Sequence, residues 1–402
     1  MRGQGSRNRA FGLHLGHFPA DNQGREHSCY GGPLSHRTVT FAPQECDRFA
    51  AEVKAAVATH FEGRSSKANA AMVTKTALLL GTFVGAYLLI LLGGLSGPAV
   101  LALCVLLGVT MAGIGFGIAH DANHGAYSDD QRVNAALGMT FDLLGANGYM
   151  WRITHNVIHH TYTNIQGIDE DLEVSPLLRL SPHSTHRRVH NWQHVYALFA
   201  YSMSTLNWVF WKDFDYFSRR NLGPYRGRRH DPGQIAWMVG SKLFHYGWSI
   251  VLPLAVLPVT LWQFALGWLT VHLVAGTILG VVFQLAHVVE ETAQPLPDDL
   301  GRMPAAWMVH EMLTTCNFAT GNRLLSWYVG GLNFQLEHHL FTKVCSVHYP
   351  AISRIVRETA ARHGVPYYEN PTLTAALRSH WRMLRRLGPG AERGMAAVAA
   401  AA

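Results

Sequence analysis

The residues most able to do chemistry in this 402-residue chain are its histidines, 24 of them against 26 acidic residues, and they come in clusters. His120 and His124 stand in His120-Asp121-Ala122-Asn123-His124. His155, His159 and His160 stand in Thr154-His155-Asn156-Val157-Ile158-His159-His160, and His338 and His339 close Asn333-Phe334-Gln335-Leu336-Glu337-His338-His339. On a helix, positions i and i+4 share one face at roughly 6 Å. His120 with His124, and His155 with His159, can therefore each bind one metal from one helix. Adjacent histidines lie about 100° apart, so a pair such as His159-His160 can serve two neighbouring metals. These seven imidazoles, with His287 as an eighth, are too many for one tetrahedral zinc and fit two metals of four or five ligands each. Imidazole suits iron, copper, nickel and zinc, and spacing does not choose among them.

The remaining histidines read differently. His183, His186, His190 and His194 follow Pro182 among arginines and read mainly as a solvated face or one that supports ligands from behind. His245 and His272 fall in apolar stretches without a partner histidine nearby, and read as neutral imidazoles bonded between helices. Metal-bound imidazoles usually donate their other N–H to a carboxylate or carbonyl. Asp121, Asp169, Asp171, Glu290, Glu291 and Glu337 lie beside the clusters. Asp121 and Glu337, inside them, are the best candidates to support ligands from behind. Gln335 occupies a position a further histidine could fill and reads as a water-bridged or supporting group.

The elements that must position these residues are set by where the charges are. Charged residues make up 15% of the chain and apolar ones 49%, and the mean hydropathy is only +0.06. Yet no charge occurs from Thr76 to Ala119 or from Leu243 to Val289. A membrane span needs about 20 apolar residues, so each window accommodates two. Turn residues interrupt both, Gly93 to Pro98 in the first and Pro258 with Thr260 in the second. The expected fold is an all-α membrane protein: two hairpins with spans near 76–93, 98–118, 238–257 and 262–286, plus a cytoplasmic helical part holding a histidine-rich dimetal site. Uncharged hairpin tips put all 33 Lys and Arg on one side, which the positive-inside rule makes cytoplasmic, together with both termini. The net charge of +7 then calls for no nucleic acid. A basic skirt suits anionic lipids, a phosphate-bearing carrier or an acidic redox partner.

Residues 1–37 read as a disordered leader without a cleavable signal. Residues 38–75 form an amphipathic region in which Phe49, Val53, Val57 and Phe61 recur at helical spacing. Residues 76–375 are the membrane domain, and 376–402 a C-terminal tail. Short apolar runs at 133–150 and 195–211 suit interfacial or buried helices. The five cysteines are scattered, with no C-x-x-C, and give neither a disulfide framework nor a cysteine metal site.

The motifs His120-Asp121-x-x-His124-Gly125, His155-Asn156-x-x-His159-His160-Thr161-x-Thr163-Asn164 and Asn333-x-Gln335-x-Glu337-His338-His339-Leu340-Phe341 resemble those of the integral-membrane fatty acid desaturases. The Gln-first third box is similar to the front-end, acyl-lipid and linoleoyl-CoA desaturase-like branch, as is Gln284-Leu285-Ala286-His287-Val288-Val289-Glu290-Glu291, which supports His287 as an added ligand. The resemblance covers roughly residues 38–375. It implies a non-haem di-iron, oxygen-dependent enzyme acting on a long-chain acyl group carried by CoA, a carrier protein or a lipid. No His-Pro-Gly-Gly motif of a fused haem domain occurs, so electrons are expected from a separate protein such as a ferredoxin or a small haem protein. The alternatives are a di-iron membrane hydroxylase or monooxygenase and, from another class, a metal transporter or sensor. A transporter should carry ligands within its spans and on both surfaces.

Overall fold

The computed structural model describes residues 39–42, 48–173 and 175–389. The leader at 1–37 and the end of the tail lie outside them. The described chain is mostly helical, with two minimal parallel ribbons: Thr40–Ala42 on Arg302–Ala306, and Asn317–Phe318 on Glu369–Asn370.

Among the described residues, three helices are long and apolar enough to cross a membrane: Ala70–Leu92, Gly97–Asn123 and Leu261–His287. They coincide with the expected spans 76–93, 98–118 and 262–286. The expected span 238–257 falls on Pro232–Tyr246, a π-helical turn at Gly247–Val251 and Leu252–Val256. It is not among the three. Lys242 lies within it, buried and pointing at Asp213 (Nζ to Oδ2, 2.7 Å) and at the carbonyls of Gly145 and Trp208. A charge so deep in an apolar helix persists only when paired and hydrogen-bonded.

Leu261–His287 is the central helix, packing on Gly97–Ile114 and on Gln193–Ser202. Close approach is what its glycine neighbours allow. A Cβ on Gly108 would stand 2.7 Å from the Val271 carbonyl oxygen, too near for any side chain. Thr205 Oγ1 donates to the His272 carbonyl at 2.8 Å, tying the 204–207 turn to the same helix. His272 and His245 are buried between helices, bonded to Thr205 and to the Leu143 carbonyl respectively. They are structural imidazoles, as their isolation in sequence suggests.

The amphipathic region forms the helix Arg48–His60. Its stripe of Phe49, Val53 and Val57 is buried against Ile352 and Val356 of Tyr349–His363 and against Met308 and Met312. It packs on the part that holds the third histidine cluster, through Leu336 and Leu340. Both runs expected to be interfacial are helical, at Gln131–Leu143 and Gln193–Ser202, the second continuing through short helical turns to Lys212.

Candidate metal centre

A π-helical turn leads into one of the three histidine clusters and another carries most of a second. The helix that begins at Gly97 passes through a π turn at Gly115–Ala119 directly into His120–Asn123. Residues Arg152–His159, which carry His155 and His159, are π-helical throughout. Such insertions are rare and recur at functional sites, because they re-aim side chains while keeping the backbone bonded. Gly330 (φ +63°) lets the third cluster's approach pass the first turn. A Cβ there would lie 2.5 Å from the Phe116 carbonyl oxygen.

All eight predicted histidines come together, buried. One group is His120, His124, His155 and His338, and the other is His159, His287 and His339. Within each, one ring nitrogen per residue lies within 4.8 Å of all the others. His160 stands between the groups, its ring centroid 4.9 Å from His124, 4.5 Å from His338 and 4.4 Å from His339. The i, i+4 spacing led to the expectation that His155 and His159 serve one metal. They do neighbour each other, with centroids 5.1 Å apart. The wider π turn nevertheless sets His155 facing His160, five residues on, with their Nε2 atoms 3.2 Å apart. His155 thus joins the first group and His159 the second, while the two also share a third group with Asp171, as their spacing suggests.

The residues fit metal ions. Nε2 of His124, His159, His287, His338 and His339 is buried without any hydrogen-bond partner. Such orphaned groups are costly unless something is bound. The opposite nitrogens are spoken for. His159 Nδ1–H points at Asp169 (3.1 Å), His339 Nδ1–H at Glu311 (2.7 Å), His338 Nδ1 at the Tyr349 hydroxyl (3.1 Å) and His287 Nδ1 at the Thr314 carbonyl (3.4 Å). This is how a protein fixes ligand tautomers. Burial first, then the neighbouring imidazoles, holds His124, His155, His160, His338 and His339 well below the usual histidine range, so they are neutral and ready to ligate. Burial pulls His159 the same way, but Asp169 outweighs it and lifts His159 to about 8.

The carboxylates behind the ligands only partly match expectation. Asp169 and Asp171 do flank His159. Asp121 approaches His120 Nδ1 at 3.6 Å, and its other oxygen accepts from Ser346 N (3.0 Å) and Oγ (2.8 Å), clamping the first cluster to the segment after the third. Glu337 touches none of the eight imidazoles. It points to the opposite side of its short helix and accepts from Asn317 Nδ2 (2.8 Å) and the Tyr367 hydroxyl (3.0 Å). Glu290 and Glu291 pair with Arg382, and with Asn370 and Ser379. Sequence reasoning missed Glu311, fully buried, whose Oε2 also accepts from Thr163 Oγ1 at 2.9 Å. The available signal was a lone carboxylate in the apolar run Trp307 to Leu313. It also missed Trp151, stacked on His155 at 4.3 Å. The stripe His183, His186 and His190 bonds to Gln294, Asn191 and Pro176 and stays apart from the centre, but His190 is buried rather than solvated because its ring is bonded to the Arg187 N–H and the Pro176 carbonyl.

A slot of about 560 Å³ ends on the centre, in the size range of small-molecule clefts. His120, His155, His338 and Gln335 line its inner part. Phe116, Phe141, Trp208, Leu279 and Phe283 form apolar walls, and Glu170, Glu173, Lys212 and Arg219 also line it. Both short apolar runs contribute, through Phe141 and Trp208. Gln335 is thus a wall residue of the slot, beside His338.

The fatty acid desaturase family model matches residues 96–371. The chain is 34% identical over 330 residues to an sn-1 linoleoyl-lipid 6-desaturase of Synechocystis sp., covering 81% of this chain and 91% of that one. It is 34% identical to an enzyme of the same name from Arthrospira platensis (81% and 88%). It is 32% identical over 357 residues to an acyl-lipid (8-3)-desaturase of Physcomitrium patens (87% and 74%). With the buried histidine centre and the apolar slot that ends on it, these matches make the chain a member of the fatty acid desaturase family, an oxidoreductase that introduces double bonds into fatty acyl chains.

Proposed function

We propose that the chain desaturates a long-chain acyl group of a membrane lipid, using two iron ions held by His120, His124, His155, His159, His160, His287, His338 and His339. The observation that carries this reading is the set of five orphaned, buried Nε2 atoms in a histidine cluster whose His120, His155 and His338 line an apolar slot. Removing hydrogen from an unactivated methylene exceeds the chemistry of any side chain, and a non-haem di-iron centre supplies that oxidising power from O2. The protein's own residues do the rest. Phe116, Phe141, Leu279 and Phe283 hold the tail and exclude water. Trp151 and His155 limit how closely a methylene approaches the centre. Asp169, Glu311 and Tyr349 hold the Nδ1 sides of His159, His339 and His338, leaving their Nε2 atoms free to ligate. The relatives named for acyl-lipid substrates support a lipid-linked acyl chain.

In this reading the chain is an integral membrane protein with four spans in two hairpins, the helix around 238–257 being the third to cross. Uncharged hairpin tips and the concentration of Lys and Arg elsewhere support a cytoplasmic centre with both termini on that side. Electrons come from a separate donor protein. The test is anaerobic purification, metal analysis, and then addition of O2, a reductant and a long-chain acyl lipid. Two irons per chain and an unsaturated product are expected. A hydroxylated product would move the reading to a monooxygenase, and tightly bound zinc without oxygen uptake would end both.

A further inference from the structure

Five arginines crowd residues 219–229: Arg219, Arg220, Arg226, Arg228 and Arg229. The segment is a tight hairpin closed by Leu222 N to the Tyr225 carbonyl (3.2 Å), Tyr225 N to the Leu222 carbonyl (3.0 Å) and Arg228 N to the Arg220 carbonyl (2.9 Å). Its tip lies on the back of the helix that carries the second histidine cluster. Leu222 is buried with Met150, Ile153 and Ile158. Gly223 (φ +52°) sits so close that a Cβ would stand 2.7 Å from Ile158 Cδ1. Ile158 is the covalent neighbour of His159, so the hairpin is the outer layer over one side of the metal centre.

The arginines divide by partner. Arg219 pairs with Asp215 and Glu170, and Arg228 stacks on Tyr149 and Tyr225. Arg220 and Arg229 are exposed and make no side-chain bond among the described residues. Interior acids therefore do not neutralise the hairpin's outer face.

We infer that this arginine hairpin is the docking surface for a small acidic protein that carries single electrons to the metal centre. The inference rests on the desaturase reading. Desaturation of a –CH2–CH2– unit yields two electrons and two protons, while O2 needs four of each to become two waters. Two electrons must therefore come from outside, with two protons from solvent. The balance is R–CH2–CH2–R′ + O2 + 2 e⁻ + 2 H⁺ → R–CH=CH–R′ + 2 H2O. A one-electron carrier must dock twice per turnover, briefly each time, and complementary charge gives fast, weak encounters of that kind. An anionic membrane surface is the competing occupant, and side-chain character argues against it. No large apolar side chain is exposed between Phe214 and Ile235, whereas the neighbouring Phe210, Trp211 and Phe214 are exposed. A bilayer-immersed surface combines basic and apolar residues, and this hairpin presents only the basic half.

The test uses the full chain in vesicles with a reduced, acidic iron–sulfur ferredoxin as probe. It compares wild type with Arg220→Glu/Arg229→Glu and Arg220→Lys/Arg229→Lys. In parallel, each protein is chemically reduced under anaerobic conditions, freed of excess reductant and given O2 for a single turnover that needs no carrier. The double glutamate variant should raise KM for the ferredoxin by about 10-fold or more, the low end of what electrostatic steering contributes. Its single-turnover yield should be unchanged, and the lysine variant should stay near wild type. The wild-type KM should also climb with ionic strength, which tests the idea even if the glutamate variant does not fold. An unchanged KM for ferredoxin overturns the inference. So does a variant defect that appears only in phosphatidylglycerol-rich vesicles with KM for ferredoxin intact, which assigns the hairpin to lipid. Absence of unsaturated product from chemically reduced wild type would instead refute the desaturase reading itself.

Discussion

Glu311 is the sharpest place to test how the centre is held. It accepts a hydrogen bond from His339 Nδ1 at 2.7 Å and another from Thr163 at 2.9 Å, with both partners fully buried. Burial pushes its carboxyl up to about 8. Metal on the opposite nitrogen of His339 favours the carboxylate, so binding should release a proton through this pair and affinity should rise with pH up to about 8. Glu311→Gln keeps the size and removes the charge. A hydrogen bond to a charged group contributes about 1.5–3 kcal/mol against about 0.5–1.5 for a neutral one. The loss of about 1–2 kcal/mol corresponds to roughly 5- to 30-fold in metal affinity, in line with the effect of other partners behind metal ligands. The second carboxylate oxygen has no partner, so the amide NH2 would be buried unbonded and the variant should also lose stability. The assay is iron per chain after equilibration with graded chelator, repeated across pH, with Glu337→Gln as comparison because Glu337 touches no ligand. The argument fails if Glu311→Gln keeps the wild-type chelator midpoint within twofold, or if Glu337→Gln shifts it equally.

Three further outcomes follow from the same geometry. Burial lifts Glu337 from 4.5 to about 7, so the folded protein binds more protons than the unfolded chain between those values. The stability this group contributes should fall by up to about 3 kcal/mol as pH rises through that window, so thermal unfolding in detergent should show wild type losing that much relative to Glu337→Gln between pH 5 and 8. His159→Ala should abolish desaturation and lower iron content while the protein stays in the membrane fraction, whereas His183→Ala, bonded only to the Gln294 carbonyl, should leave both intact. Phe141, with Gly115, Trp208 and Leu279, lines both the slot and a small pocket beyond it that is also lined by Met111 and Leu144. Phe141→Ala should join the two and favour longer acyl chains by about 10-fold, the scale of one or two methylenes in an apolar pocket. Chromatography of products from chains of graded length would show it, and an unchanged length preference would refute it.

The sequence by itself determined which imidazoles cluster and three of the segments apolar enough to span a bilayer. Clustered histidines and long charge-free windows are local patterns, and local patterns survive without knowledge of the fold. His183 to His190 and His245 with His272 were separable from the centre on the same grounds. What the sequence did not contain was direction. Helical periodicity assumes α geometry, and the π turn at Arg152–His159 breaks that assumption. It turns His155 toward the first group and His159 toward the second, with the pair still meeting at Asp171, and leaves His160 between them. Glu337 lies inside a motif yet points away, while Glu311 and Tyr349 reach the ligands from helices outside all three motifs. Lys242 stands in a stretch read as a span, and only its buried pairing with Asp213 accounts for it. Which imidazoles gather is written in residue type and spacing. Ligand grouping, hydrogen-bond support and the shape of the slot depend on contacts between residues far apart in the chain, so only the tertiary structure decides them.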